Sequence, residues 1–339
     1  MKIKENYSLL KFNSFHINVS AKYFVEVLSV FEMQEVLREN IIKNIPILII
    51  GGGSNILLTK DYDGLVIKNS IRGIKVVSET DKEIFVEAGA GNLWDELVGY
   101  CVKNNYGGIE NLTFIPGTVG AAPIQNIGAY GQELKDSFHS LEGILFDNLT
   151  SKIFFNDECN FGYRNSIFKN ELKNNIAITS VTFKLNKKFY PNINYSALKE
   201  EITEKNLSKI SISEVSEAVR DIRKRKLPDP NKFGNAGSFF KNPVISHAHF
   251  LEIQYKYPSF RGFIQESGVV KVSAAWLIEQ CGWKGKLIGN AAVYVNQPLV
   301  LVNFSGNASG SEILNLANQI KNSVKNTFNV ILEEEVNII

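Results

Sequence analysis

Ile47-Leu48-Ile49-Ile50-Gly51-Gly52-Gly53-Ser54-Asn55 is a run of four aliphatic residues that empties directly into three glycines, a hydroxyl and an amide. Such a run, bounded by glycine, reads as a buried strand. A strand followed by a glycine-rich turn commonly receives a phosphate, because closely spaced backbone N–H groups form an anion-binding concavity. The turn nevertheless lacks the Gly-x-x-x-x-Gly-Lys-Ser/Thr of a P-loop and the Gly-x-Gly-x-x-Gly of a Rossmann turn. Gly89-Ala90-Gly91 begins the second pattern, but Trp94 stands where its third glycine belongs. Both common nucleotide folds are therefore disfavoured. A dinucleotide bound here would have its pyrophosphate held by loops from more than one segment, with residues 51–55 and Pro116-Gly117-Thr118-Val119-Gly120-Ala121-Ala122-Pro123 as the candidates.

Outward from that turn the pattern mixes strand and helix. Residues 23–28 read as a strand, and residues 31–40 as a short helix with Val36 and Leu37 inward. In the later half, Ser211-x-x-Glu214 is a capping-box pattern opening a helix with Val215, Ala218, Val219 and Ile222 on one face and Pro228 beyond its end. The basic tail of that helix, Arg223-Lys224-Arg225-Lys226, is open to two readings. Cations at a helix C-terminus complement the macrodipole; alternatively one of them, Lys226 by position, contacts a phosphate. Leu227-Pro228-Asp229-Pro230 makes a natural domain hinge. Beyond it come a helix over 273–281 closed by Gly282, strands over 291–295 and 299–304, and a long helix opened by the capping box Ser309-x-x-Glu312.

Composition bounds the class. At 339 residues the chain is long enough for two or three domains. With 37 basic against 35 acidic side chains the formal charge is +2, so no global field favours nucleic acid or an anionic membrane, and any anion site must be local. Cys101, Cys159 and Cys281 are odd in number and far apart, which argues against a disulfide framework and against zinc; a reducing cytoplasm is the expected setting. No secretory or membrane-spanning segment is expected. His247-Ala248-His249 could offer two ligands from one side of a strand, but with no acidic or cysteine partner nearby in sequence a surface or loop role is preferred and no metal site is expected.

Three further segments could carry chemistry. Gly234-Asn235-Ala236-Gly237-Ser238-Phe239-Phe240-Lys241-Asn242-Pro243 sets two glycines, a hydroxyl and an amide beside two aromatics, and is either a site or a Gly-Ser turn leading into a Phe-Phe strand. Arg164, within Phe161-Gly162-Tyr163-Arg164-Asn165-Ser166, is either a surface turn or a carboxylate clamp. Glu333-Glu334-Glu335 alone reads as a solvated acidic end. If it lies in a strand, alternation points Glu334 away from the face of Glu335.

Taken together, Gly51-Gly52-Gly53-Ser54-Asn55, the run from Ile115 through Pro123 to Gly128-Ala129-Tyr130-Gly131, Tyr163-Arg164-Asn165-Ser166, the segment 234–243 and Leu332-Glu333-Glu334-Glu335-Val336 occur in one order over nearly the whole chain. In this the sequence resembles the UDP-N-acetylenolpyruvoylglucosamine reductase family. The resemblance implies a flavoenzyme of peptidoglycan precursor synthesis in which NADPH reduces noncovalently bound FAD, and the flavin then reduces UDP-N-acetylglucosamine enolpyruvate to UDP-N-acetylmuramate. It implies an α+β fold: an FAD-binding fold of the vanillyl-alcohol oxidase type, with two α+β subdomains enclosing FAD, plus a C-terminal α+β substrate domain. The boundaries it suggests are 1–68 (with the option that 329–339 returns to it), 69–226 and 227–328.

Carried over position by position, the resemblance makes Ser238 the proton donor, Arg164 the carboxylate-binding arginine and Glu335 the catalytic glutamate. It makes Gly51, Gly52, Gly53, Ser54, Asn55, Pro116, Gly117, Thr118, Gly120, Ala121, Gly128, Ala129 and Tyr130 the flavin contacts. Lys226, Asn242 and Gln297 fall at substrate diphosphate and uridine positions. Tyr195, in Asn194-Tyr195-Ser196-Ala197-Leu198, matches the tyrosine that closes over substrate in the form of the family with an extra loop; otherwise it is an exposed loop aromatic. Small-molecule partners and a monomer are expected. Two departures stand out. His16 replaces a glycine usual in the family, and the chain stops four residues after Glu335 without the tail often found there, so the geometry of the first turn and the anchoring of Glu335 are left to the structure. A sugar-alcohol oxidase of the same fold and a noncatalytic nucleotide-binding module are the rival readings.

Overall fold

The strand Ile47–Ile50 pairs in parallel with Tyr62–Asn69, and Tyr62–Asn69 pairs in parallel with Ser20–Val27. With Lys4–Ser8 they form one four-stranded sheet. Ile47–Ile50 lies at its edge, so only Ile50 is buried and the expectation of a fully buried strand is corrected. One face of the sheet carries Val25, Val27, Leu65 and Ile67, which pack with Met33, Val36 and Leu37 of the helix Val30–Arg38. Ser29 caps that helix by accepting from the Glu32 amide. Asn40, the expected last residue of the helix, lies outside the described residues. The computed structural model describes residues 2–39, 45–205, 210–265 and 267–339.

The chain divides into two units, the first Met1–Tyr7, Ser20–Gly53 and Tyr62–Arg225, the second Ser8–Val19, Ser54–Asp61 and Lys226–Ile339. Besides the parallel sheet, the first unit holds a five-stranded antiparallel sheet ordered Ser151–Phe155, Phe138–Leu145, Ile176–Asn186, Glu83–Gly89, Ile74–Glu79. Trp94, Leu97, Val98 and Cys101 of the helix Trp94–Lys103 are buried in its core, with Trp94 edge-on to Phe183 at 5.6 Å. Leu198 and Ile202 of the helix Ser196–Glu204 pack with Val215, Ala218, Val219 and Ile222 of Ile212–Lys226. Ser211 and Glu214 exchange the two bonds of the expected capping box.

In the second unit an antiparallel sheet runs Gly234–Ser238, Val300–Asn303, Ala291–Val293, Leu287–Ile288. The helix Gly310–Phe328 opens with the reciprocal Ser309–Glu312 cap and sets Gly310 so close to the Leu58 carbonyl that a Cβ there would fall 1.9 Å from its oxygen. The turn at residues 13–17 is organised by buried Asn13, whose side chain donates to the Leu9 and Ile17 carbonyls and accepts from the Ile17 amide. His16 adopts φ +56°, so the left-handed geometry that favours glycine is present with a histidine, a residue that visits this region more readily than most.

Local structure differs from the sequence pattern at two places. His247 and His249 lie on the helix Ser246 caps, His247–Lys256, where residues two apart do not share a face. His247 stacks on Phe250, while a ring nitrogen of His249 meets the Phe328 carbonyl at 2.8 Å. Residues 333–335 form no strand; Glu334 makes an isolated bridge with Phe240 and bends follow at 335–336, so the condition for strand alternation is not met. The strand forms later, at Asn337–Ile338.

Candidate active site

Two glycine-rich segments meet within the first unit. A Cβ on Gly51 would fall 2.0 Å from Thr118 Oγ1, and one on Gly52 would fall 3.0 Å from the Gly117 Cα. Both positions therefore need glycine for close approach, while Gly53 (φ +62°) and Gly117 (φ +117°) need it for conformation. Gly120 in turn lies against Ala90, where its added Cβ would sit 2.5 Å from the alanine's. Gly89 and Gly91 press against the backbone at 70–72, which explains their presence without a phosphate. The two glycine turns thus approach each other with little side-chain bulk between them, an arrangement whose backbone N–H groups suit a pyrophosphate.

Arg164 sits at the tip of a turn closed by reciprocal Gly162–Asn165 backbone bonds, in the left-handed region at φ +53°. For a non-glycine residue this is a strained placement of the kind found at functional sites. Its Nη2 donates to the Gly128 carbonyl at 2.7 Å, so the guanidinium is tied to the hairpin that carries Gly128, Ala129 and Tyr130. Buried Asn126 fastens the same two segments by donating to Glu133 and to the Gly162 carbonyl. Tyr130 (φ +49°) stands edge-on to Tyr195 at 5.4 Å. Asn111 supports this pairing from below, its amide donating both to the Tyr130 carbonyl at 2.9 Å and to the Asn192 carbonyl at 2.8 Å.

Arg223 also belongs to this cluster, although its place in a basic helix tail concealed it. It follows Val219 by one turn and so continues the inward face, a signal present in the spacing. Its Nε donates to the Phe114 carbonyl at 3.0 Å, and no carboxylate pairs with it among the described residues. Burial pulls its pKa down and Arg164 adds to the effect, against Tyr130 and Asp95. Burial likewise raises the Tyr130 phenol. Two guanidiniums in one neighbourhood make a local positive field that suits an anionic ligand. Arg220 is different: it pairs with Asp95 at 2.9 Å.

In the second unit Ser238 is presented by a bulge. Asn235 pairs with Val302 and Ser238 with Val300, so one extra residue is accommodated between them, with Gly237 at φ +69°. Gly234 abuts the Phe15 carbonyl, where a Cβ would come within 2.3 Å, and Ser14 clasps Asn235 through two backbone-directed bonds. Phe239 and Phe240 are fully buried behind the serine; they are core. The Glu335 amide donates to the Phe239 carbonyl at 2.8 Å, which brings Glu335 beside the Ser238 strand. Gln297 lies in the turn before Val300–Asn303, and the Phe239 amide bonds to Leu299 just beyond it.

The anchoring of Glu335 has an explicit answer. Asn55 Nδ2 donates to the Glu335 carbonyl at 3.3 Å, and Asn337 donates to the Asn55 carbonyl through both its amide (3.0 Å) and its side chain (3.1 Å). Asn337–Ile338 then pairs in parallel with Ile56–Leu57. Glu333 and Glu334 are held by Lys241 at 3.1 Å and Lys321 at 2.6 Å. Asn242 spends its side-chain oxygen on the Ala274 amide at the start of the helix Ala274–Gln280. Lys226 ends its helix exposed.

Residues 21–148 match the model of an FAD binding domain, and residues 229–339 match that of the UDP-N-acetylenolpyruvoylglucosamine reductase C-terminal domain. The class is thus an α+β flavin-binding protein with a reductase-type C-terminal domain. Similar full-length proteins include the UDP-N-acetylenolpyruvoylglucosamine reductases of Flavobacterium johnsoniae (47% identical over 340 residues, all of both chains) and Amoebophilus asiaticus (45% over 339, all of both chains). The crystal structure of the Thermus caldophilus reductase shares the fold, with a TM-score of 0.70 at 22% identity over 100% of this chain and 99% of that one. The chain belongs to the UDP-N-acetylenolpyruvoylglucosamine reductase family.

Proposed function

We propose that the chain catalyses the FAD-dependent reduction of UDP-N-acetylenolpyruvoylglucosamine in cell wall synthesis, with NADPH as the hydride donor. The observation that supports the chemistry is the bulge at Gly237 before Ser238, together with the bond from the Glu335 amide to the carbonyl of the next residue, Phe239. FAD, held by the 51–55 and 116–123 segments and the Gly128-Ala129-Tyr130 hairpin, supplies the redox relay. When the vinyl carbon of the enolpyruvyl group has taken hydride, negative charge develops on the adjoining carbon and spreads into the carboxylate. Arg164 grips that carboxylate in bidentate fashion, an interaction that strengthens as charge develops and is worth about 3 kcal/mol on the usual scale. Glu335 hydrogen-bonds the charged species. Ser238 gives its hydroxyl proton to the carbon, a task open to so weak an acid because a carbanion is a strong base. Lys226, Asn242 and Gln297 serve the diphosphate and uridine end. The enzyme works as a cytoplasmic monomer on small molecules, without nucleic acid or membrane as partner; no helix among the described residues is long and apolar enough to cross a bilayer.

The purified protein is expected to be yellow, to bleach with NADPH, and to regain its colour anaerobically on adding the enolpyruvyl substrate. Reduced flavin that persists in that substrate removes the substrate assignment, and rapid oxygen consumption with a sugar alcohol favours the oxidase instead. Tyr195, 44% exposed yet packed on Tyr130, gives a finer check. Tyr195→Ala removes an aromatic pair worth about 1 kcal/mol, so kcat/KM for the enolpyruvyl substrate should fall about fivefold or more. Flavin reduction by NADPH should change less. Equal kinetics in both half-reactions return Tyr195 to a surface role.

A further inference from the structure

Lys68 occupies the carboxyl end of Tyr62–Asn69, the end of parallel strands at which ligands of open α/β sheets bind. It is in register with Ile50 on one side and Glu26 on the other. Val66, Ile67 and Asn69 around it are buried and the lysine itself is half-buried. Its Nζ donates to the Gly51 carbonyl at 2.7 Å, the first carbonyl of the glycine turn. No carboxylate forms an ion pair with it among the described residues; Glu26, its neighbour in register, instead accepts from Ser70 at 2.6 Å. Burial lowers the Lys68 pKa, with Glu26 opposing and Arg72 reinforcing the shift. An ammonium has three donors, and holding a carbonyl requires only one of them, which a neutral amide could supply. A partly desolvated cation placed there without a carboxylate is costly unless an anion joins it.

We propose that Lys68 is a cofactor-binding residue whose ammonium, fixed beside the Gly51–Gly53 turn, offsets one charge of the diphosphate of bound FAD. The inference rests on the reading of that turn as the pyrophosphate site. It adds a positive charge to a turn that otherwise offers backbone donors.

The test is titration of the flavin-free protein with FAD and with riboflavin, which lacks the diphosphate, over a series of salt concentrations. Lys68→Gln keeps a donor for the Gly51 carbonyl and removes the charge; it should weaken FAD binding about 10- to 100-fold, flatten the salt dependence of the FAD Kd, and leave riboflavin binding within about twofold of the parent value. Lys68→Arg should restore most of the loss. Gly52→Val, whose side chain would collide with Gly117, separates the two ideas. If Gly52→Val weakens FAD binding and Lys68→Gln does not, the turn reading stands and the role of Lys68 is overturned. If Gly52→Val binds FAD normally, the turn reading falls and Lys68 falls with it. Equal loss of FAD and riboflavin affinity in Lys68→Gln means the lysine only shapes the turn, which also overturns the proposal.

Discussion

Replacing Ser238 by alanine should leave the protein yellow and reducible by NADPH, while the enolpyruvyl substrate should restore the flavin colour about 10²- to 10⁴-fold more slowly. The two half-reactions separate because hydride transfer from NADPH to the flavin takes no proton from Ser238, whereas completing the saturated product does. The fold gives little reason for a general defect. Ser238 is only partly buried, and the strand is held by Gly234 on Phe15, by Ser14 on Asn235 and by the buried Phe239, none of which the substitution touches. Stopped-flow absorbance of both steps decides the matter. Equal losses in the two steps would mean damaged folding or flavin binding, and an unchanged second step would assign the proton to another group.

Glu335→Gln should likewise retain FAD and NADPH-driven reduction and depress reoxidation by the enolpyruvyl substrate, by a loss of order 10²-fold, the scale of one electrostatic contact in a water-excluded site. The change is nearly isosteric, and the backbone bonds of residue 335 to Phe239 and Asn55 do not depend on the carboxyl group. Glu333 and Glu334 are the controls, for a reason the structure provides. They pair with Lys241 and Lys321, so Glu333→Gln and Glu334→Gln should cost about 1 kcal/mol of stability or less and leave reoxidation nearly intact. If Glu334→Gln is the damaging variant, the catalytic carboxylate has been placed one residue off; if none of the three matters, the acidic end has no part in the chemistry.

Much of the architecture could be read locally. The capping boxes at Ser211 and Ser309 formed as their patterns require, because an N-cap bond joins residues three apart and needs nothing from the rest of the chain. The strand before the triple glycine and the helix after Ser29 came within a residue or two of the apolar periodicity. Errors arose where tertiary context intervened. A strand or loop was the expected setting of His247 and His249, yet Ser246 starts a helix there and their rings are engaged by Phe250 and the Phe328 carbonyl. Arg223 was lost among four basic residues, since a charge run conceals which member faces inward until the helix has a packing partner.

The sequence by itself determined the order of motifs and hence the family, the absence of P-loop and Rossmann turns, and the identity of the residues offered for chemistry. These are properties of spacing and residue type, which survive without coordinates. Tertiary structure alone decided that residues 51–52 meet 117–118, that Asn55 braces Glu335 and that an unmatched lysine lies behind the glycine turn. Each of these joins segments from 17 to 280 residues apart. No local propensity encodes such a contact; it exists only because burying the apolar faces of the sheets and helices fixes where distant backbone and side-chain polar groups must find their partners.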